Sequence, residues 1–217
     1  MTKQEAGKPR IDLVLIHYPV VNKNREVIGS AVTNLDLHDI ARAARTYGVD
    51  TLYVVTPYRD QHELFQELLD HWLTGHGSEY NTKRGEALSL VRMCYDLEEV
   101  LAGVTEKWKQ RPTVLATCAQ ERHTAVWPYH TVRQKISTGT SFLILLGTAW
   151  GLAQEVIEAC DGILPPITGT GGYNHLSVRS AAAIILDRLL GSRDERKLVN
   201  GRQVNMAGIR DHWHKEK

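Results

Sequence analysis

Residues 168–177, TGTGGYNHLS, place three glycines within five positions and run directly into VRSAAAIILDRLLG (178–191), an apolar, alanine-rich helical pattern. Glycine-rich turns that open helices commonly hold phosphate, because bare backbone N–H groups and the positive helix end attract anions. A dinucleotide fingerprint needs G-x-G-x-x-G after an early strand, with an acid about 20 residues further on. Here Gly169 and Gly171 are followed by Asn174 where the third glycine belongs, and the loop comes after the last strand candidate. No Gly-Lys-Ser/Thr tripeptide occurs, so a Walker A loop is excluded as well. The glycines are there for another reason: they let a backbone approach a ligand closely and adopt positive φ.

Outward from this loop, short apolar runs alternate with amphipathic helical patterns. Strand candidates are IDLVLIHY (from Ile11), TLYVV (from Thr51), LSLVRMCY (from Leu88), TVLATC (from Thr113), FLILL (from Phe142) and GIL (from Gly162). Between them lie LDLHDIARAARTYG, QHELFQELLDHWLTG, DLEEVLAGVTEKWKQ and LAQEVIEAC. Thr33 or Asn34 is placed to cap the first helix and Asp96 the third, while Gly48 and Gly75 sit where a C′ glycine belongs. This alternation predicts an α/β fold, a mostly parallel sheet with helices on both faces, over a core of about 11–190. One domain spanning 1–217 is expected, with a polar, basic tail from about 191.

The chain carries 26 basic and 25 acidic residues, so bulk charge does not mark a nucleic-acid binder. Its distribution is uneven: nine Lys or Arg stand against five acids from 179 to 217, and six against one from 107 to 135. Such asymmetry suits a polyanion-facing side or an ordinary solvated surface. Cys94, Cys118 and Cys160 lie far apart with no C-x-x-C, which argues against a disulfide framework or a zinc site and fits a reducing cytosol. No apolar run is long enough to cross a membrane, and no metal is expected. A cytoplasmic location follows.

Ligands of open parallel sheets bind beyond the carboxyl ends of the strands, which selects HYPVVNKN, TPYRD, TCAQERH, GTAWG and PPITGTGGYNH. Three pieces of the chain, in order, resemble the SPOUT (SpoU–TrmD) RNA methyltransferases. Residues 147–156, GTAWGLAQEV, are similar to their G-x-E-G-G-L turn; 167–184, ITGTGGYNHLSVRSAAAI, to their last motif; and 36–49, DLHDIARAARTYGV, to their first, with Arg42, Ala44, Gly48 and Val49 on matching positions. The overall texture is closest to a small bacterial group sometimes joined to the tRNA guanine-N1 methyltransferase. The resemblance implies a C-terminal trefoil knot, S-adenosylmethionine bound in the knot loops, an RNA substrate (tRNA or rRNA) and a homodimer. Sequence physics alone proposes no knot.

Carried onto this chain, the resemblance assigns the cofactor site to Gly147, Ile167, Gly171, Leu176 and Ser177, with Thr117 closing the floor. The chain departs from the motifs in three places. Ala149 stands for the family's Glu, Asp36 and His38 for its first-motif Asn and Gly, and Ser177 for its last-motif Asn. Catalytic candidates are therefore argued from chemistry. Arg42 offers forked donors to a phosphate or the substrate oxygen; His38, at i−4, shares its face and accepts a proton near neutral pH. Asp36 and Asp39 either orient these two or complement the helix N-terminus. Asn174, the third catalytic candidate, and His175 carry donors and acceptors aimed near the cofactor, or Asn174 serves as a turn residue or helix cap. Glu121, Arg122 and His123 follow a strand, and Tyr18 and Trp150 are candidates to stack a base. Two other readings stay open here: a thiol hydrolase built on Cys118 and His123, and a non-catalytic adenosylmethionine- or nucleotide-binding RNA module.

Overall fold

The structure is a computed structural model that describes residues 8–121 and 125–193. In chain order its elements are β1 (Ile11–Ile16), β2 (Val20–Val21), β3 (Val27–Ile28), α1 (Asn34–Tyr47), β4 (Leu52–Val55), α2 (Arg59–Leu73), α3 (His76–Tyr80) and α4 (Thr82–Leu88). There follow β5 (Val91–Cys94), α5 (Leu97–Trp108), β6 (Thr113–Ala116), α6 (Tyr129–Ser137), β7 (Phe142–Gly147), α7 (Gln154–Glu158), β8 (Gly162–Ile163) and α8 (Val178–Leu190). Six strands form one sheet in the order β5-β4-β1-β7-β6-β8, every pairing parallel. β2 and β3 make a separate antiparallel hairpin.

The central strands read as continuous apolar runs because both sheet faces are covered. Ile11, Leu13 and Leu15 of β1 pack into one core with Leu37, Ile40, Ala41 and Ala44 of α1, Phe65 and Leu69 of α2, and Ile185, Leu186 and Leu189 of α8. Val14 and Ile16 face the other core, with Val100 and Val104 of α5 and Val156 and Ile157 of α7. The period-2 alternation of a strand thus divides one sequence run between two layers.

The helix ends follow their sequence signals in part. Thr33 caps α1 by accepting the Asp36 N–H, and Gly48 closes it at φ 76°, a left-handed position that glycine adopts without strain. Gly75 departs from its expected role: φ is −90° and it opens α3 instead. Asp96 caps α5, its carboxylate accepting the Glu99 N–H at 2.8 Å. Replacing Asp96 with alanine is expected to cost about 1 kcal/mol of stability, measured by urea unfolding.

Other boundaries shift. Leu88 ends α4 rather than opening a strand, because Asn81 caps that short helix and Gly77 tucks under Trp72, where a Cβ would meet the indole at 2.6 Å. The pattern LAQEVIEAC yields only the five residues of α7. α6 is mostly polar and buries Val132 and Ile136 alone, too weak a stripe to be read from sequence.

The C-terminal part has an unusual course. β8 pairs with β6 on one side, Leu115 opposite Gly162. On its other side it bridges to Val126, in the connection that leaves β6. Trp127 N donates to Ile163 O and Ile163 N to Ala125 O, both at 2.9 Å. β8 is therefore flanked by β6 on one side and by Val126, which precedes it in the chain, on the other. From β8 the chain passes through the glycine loop and reaches α8 on the face occupied by α1 and α6.

Candidate cofactor site at the carboxyl ends of the strands

The strand order reverses between β1 and β7: after β1 the chain builds outward through β4 and β5, then crosses to the other side for β6. Ligand crevices of open parallel sheets form at such a switch point. Three segments meet near this end: the turn after β7, the end of β6 and the glycine loop.

The turn after β7 is drawn tightly together. A Cβ at Gly147 would lie 2.6 Å from the Leu152 backbone nitrogen and 3.0 Å from the Gly151 carbonyl carbon, so only glycine fits. Gly151 N donates to Thr148 O at 2.9 Å, with Gly151 at φ 112° and Ala149 at φ 50°. The positive φ expected of the glycine loop is found here instead. Gly169, Gly171 and Gly172 are not in the left-handed region, and a Cβ on any of them would meet nothing within 4 Å. Their surroundings are open, so these glycines leave room beside the backbone and do not serve a turn.

Beneath this turn runs a buried polar chain. Thr148 Oγ1 donates to Ile16 O at 3.0 Å, Ser30 Oγ lies 2.5 Å from Thr148 Oγ1, and His17 Nδ1 lies 3.0 Å from Ser30 Oγ. The allocation that satisfies each donor has Ser30 donating to Thr148 and His17 Nδ1–H donating to Ser30. His17 Nε2 then carries only a lone pair, and it is buried with no partner among the described residues. Burial pushes His17 down to about 4, so the imidazole is neutral at physiological pH and the turn is tied to β1 by uncharged groups.

Thr117 directly follows β6, its hydroxyl donating to Leu145 O at 2.9 Å across to β7. In the glycine loop, Ile167 is half-buried against the first core and Leu176 is exposed. Asn174 Nδ2 donates to Ala119 O at 2.7 Å and laces this loop to the segment after β6. Ser177 caps α8 by accepting the Ser180 N–H at 3.2 Å. The backbone N–H groups of 167–176 make no hydrogen bond to protein among the described residues. A run of uncommitted donors beside an open-sided glycine backbone and a close-approach turn suits an adenosyl ligand held by main-chain hydrogen bonds and apolar contact.

The first-motif residues are distributed differently from the sequence expectation. Asp36 and Asp39 both face Arg179 of α8, each carboxylate 3.7 Å from Nε, and so join α1 to the helix that leaves the glycine loop; neither makes a hydrogen bond to His38 or Arg42 among the described residues. His38 packs edge-on against Trp72 of α2, centroids 5.5 Å apart, with Nδ1 buried and unpartnered among the described residues. Burial, helped by the cation of Arg84, keeps its pKa below the ordinary value. Arg42 lies next to it on the exposed face of α1. This pair shares a face as expected, but that face points toward α2 and α4, away from the Asp36–Arg179 contact with α8.

Glu121 is exposed, whereas Arg122, His123 and the basic tail beyond 193 lie outside the described residues. Cys118 accepts the Gln120 N–H at 3.4 Å, and its sequence-suggested partner His123 lies outside the described residues. Ser30, Thr148 and Arg179 were missed in the sequence: isolated polar residues in apolar surroundings give no periodic signal.

The fold is one that solved methyltransferase structures share. A SpoU methyltransferase, AviRb of Streptomyces viridochromogenes, in complex with AdoMet, superposes with a TM-score of 0.52 at 17% identity, covering 89% of this chain and 60% of that one. TrmJ of Z. mobilis ZM4 gives 0.53 at 17% identity, over 86% of this chain and 70% of that one. The chain belongs to the family of SAM-dependent RNA methyltransferases, whose model matches residues 10–191. It is 46% identical over 190 residues to a tRNA (guanine-N(1)-)-methyltransferase of Oleidesulfovibrio alaskensis, covering 88% of this chain and 44% of that protein. An uncharacterised protein of Aquifex aeolicus is 39% identical, over 82% of this chain and 86% of its own length. The chain spans less than half the length of the tRNA methyltransferase it matches. S-adenosylmethionine is the family's methyl donor. Among the described residues no helix is long and apolar enough to cross a membrane.

Proposed function

We propose that the chain methylates tRNA, with S-adenosylmethionine cradled between the Gly147–Gly151 turn and the glycine loop. The observation that carries this is the run of backbone donors at 167–176 without a protein partner among the described residues, tied by Asn174 to the segment after β6, together with a turn after β7 that only Gly147 permits. When bound, S-adenosylmethionine supplies an electrophilic sulfonium methyl. The chain's own part is to hold the reacting atoms in line and dry, which accounts for roughly 7–11 kcal/mol of barrier in favourable cases. Thr117, Gly147, Ile167, Gly171, Leu176 and Ser177 are proposed to line the cofactor, with Asn174 fixing the loop by its bond to Ala119. Arg42, permanently cationic and exposed, is proposed to hold an RNA phosphate or the target oxygen, and His38, one turn earlier on the same helix face, to accept the proton that the methylated atom gives up.

The trefoil knot that the SPOUT resemblance implies is proposed for the C-terminal part, and the position of β8 between β6 and Val126 supports it. The homodimer of that resemblance is proposed to use the exposed face of α1, where Leu35 and Arg42 stand seven residues apart on one side. A substrate of this kind places the reaction in the cytoplasm.

The test has two stages. S-adenosylmethionine at about 100 times its Kd is expected to stabilise the chain by roughly 2.7 kcal/mol in thermal unfolding, and ATP not at all. Labelled methyl donor with unmodified tRNA should then place label in the RNA, and Arg42→Ala should abolish transfer while keeping the thermal shift. Cofactor binding without transfer to any RNA would refute the catalytic assignment.

A further inference from the structure

Four neighbouring strands, β5, β4, β1 and β7, each end in an exposed aromatic residue. Tyr95 follows β5, Tyr58 is three residues after β4, Tyr18 two after β1 and Trp150 three after β7. Their relative exposures are 50%, 42%, 40% and 65%. Parallel neighbours lie about 4.8 Å apart, so the row spans roughly 15 Å of the rim. Large aromatics are usually hidden, and one left exposed at each of four adjacent strand ends is unlike a scatter of single surface residues.

The rings are also held in place. His62 stacks on Tyr95, centroids 3.9 Å apart and planes 8° apart, and is itself fixed by a 2.8 Å contact from Nε2 to Thr56 O. Tyr58 sits directly over Gly29, where a Cβ would fall 2.3 Å from its hydroxyl oxygen, and meets Tyr18 edge-on at 6.4 Å. Trp150 is carried by the Thr148–Gly151 turn, its backbone N donating to Val21 O at 3.0 Å. Lys23 and Arg25 stand exposed in the hairpin that follows Tyr18, and Arg25 Nη2 donates to Gln120 Oε1 at 3.0 Å beside the end of β6.

Preset aromatic faces with flanking cations match the chemistry of unpaired nucleotides: bases stack and phosphates meet the cations, whereas the base faces of a duplex are already occupied. We propose that Tyr95, Tyr58, Tyr18 and Trp150 form a stacking track for a single-stranded segment of the RNA substrate, leading along the strand ends to the cofactor turn. This rests on the RNA methyltransferase reading and adds to it the form of the substrate, an unpaired stretch approaching from the β5 side.

Direct binding tests the track without any methyl transfer. A fluorescent oligouridylate of about ten nucleotides is expected to bind the full chain more tightly than a duplex of equal length. Tyr95→Ala and Tyr58→Ala should each weaken oligouridylate binding by about five- to a hundredfold, Tyr95→Phe and Tyr58→Phe should restore it, and duplex binding should not change. Gly29→Ala, which displaces the Tyr58 ring without deleting it, should reproduce part of the Tyr58→Ala loss. S-adenosylmethionine affinity should be unaltered in Tyr95→Ala. Equal oligouridylate affinity in wild type and both alanine variants would overturn the track while leaving cofactor binding and methyl transfer intact. A change in sedimentation mass in place of a change in RNA affinity would overturn it too, by making the rim a self-association surface.

Discussion

Lys107→Met is expected to destabilise the fold by about 3 kcal/mol in urea unfolding, because it strands a charge in the core. Asp12 is fully buried in β1, and its carboxylate receives Lys107 Nζ at 2.5 Å and Trp108 Nε1 at 2.8 Å. The same ammonium reaches Asp50 Oδ2 at 2.7 Å and Thr51 Oγ1 at 3.0 Å. Lys107 retains 27% of its side-chain exposure, which places the cost toward the low end for a broken buried pair. The pH dependence distinguishes this cause from lost packing. Two carboxylates hold Lys107 above its ordinary value, and Lys107 with Lys8 pulls Asp50 down to about 2. The Asp50 contribution is therefore complete above the ordinary carboxylate value of 3.8 and is lost as pH falls through about 2. Burial raises Asp12 even with its cation present, and without it Asp12 should rise further. A raised carboxyl favours the fold at low pH and costs stability as pH increases. The variant should accordingly be less stable at pH 8 than at pH 5. A deficit that does not vary with pH would assign the loss to packing.

Gly147→Ala is the substitution expected to affect the proposed cofactor site most. Its new methyl would press on backbone atoms, Leu152 N at 2.6 Å and Gly151 C at 3.0 Å, which have no rotamer by which to move aside. The turn must shift, and with it Ala149, Trp150 and the Thr148 link to Ser30 and His17. A displacement of this size is expected to weaken S-adenosylmethionine binding by about a hundredfold in calorimetry. Gly171→Ala is the companion measurement. Nothing lies within 4 Å of its new methyl, so stability should stay within about 0.5 kcal/mol of wild type. Any loss of affinity there reports the ligand alone. Unchanged affinity in Gly147→Ala would remove this turn from the cofactor site.

Much of the architecture was legible in the chain. Continuous apolar runs at 11–16, 52–55 and 142–146 became parallel strands because both faces of such a sheet are covered, and Thr33, Gly48 and Asp96 marked helix ends through their own backbone chemistry. The hairpin at 20–28 and the polar helix α6 were not, since each buries too few apolar residues to set up a period.

The candidate site divides along the same line. The glycine loop and the Gly147 turn were visible because glycine spacing is a local property, and their order matched one family. Tertiary structure alone decided that Asp36 and Asp39 hold Arg179, and that positive φ belongs to Ala149 and Gly151. It also decided that β8 runs between β6 and Val126, and that the aromatics of four strands separated in sequence stand in one row. By itself the sequence determined the central strands, most of the long helices, their parallel pairing and the loop that marks the family, all of which depend on periodicity or on residues close together in the chain. Which distant side chains meet depends on strand order and on where the C-terminal segment packs, and only packing of the whole sheet sets these.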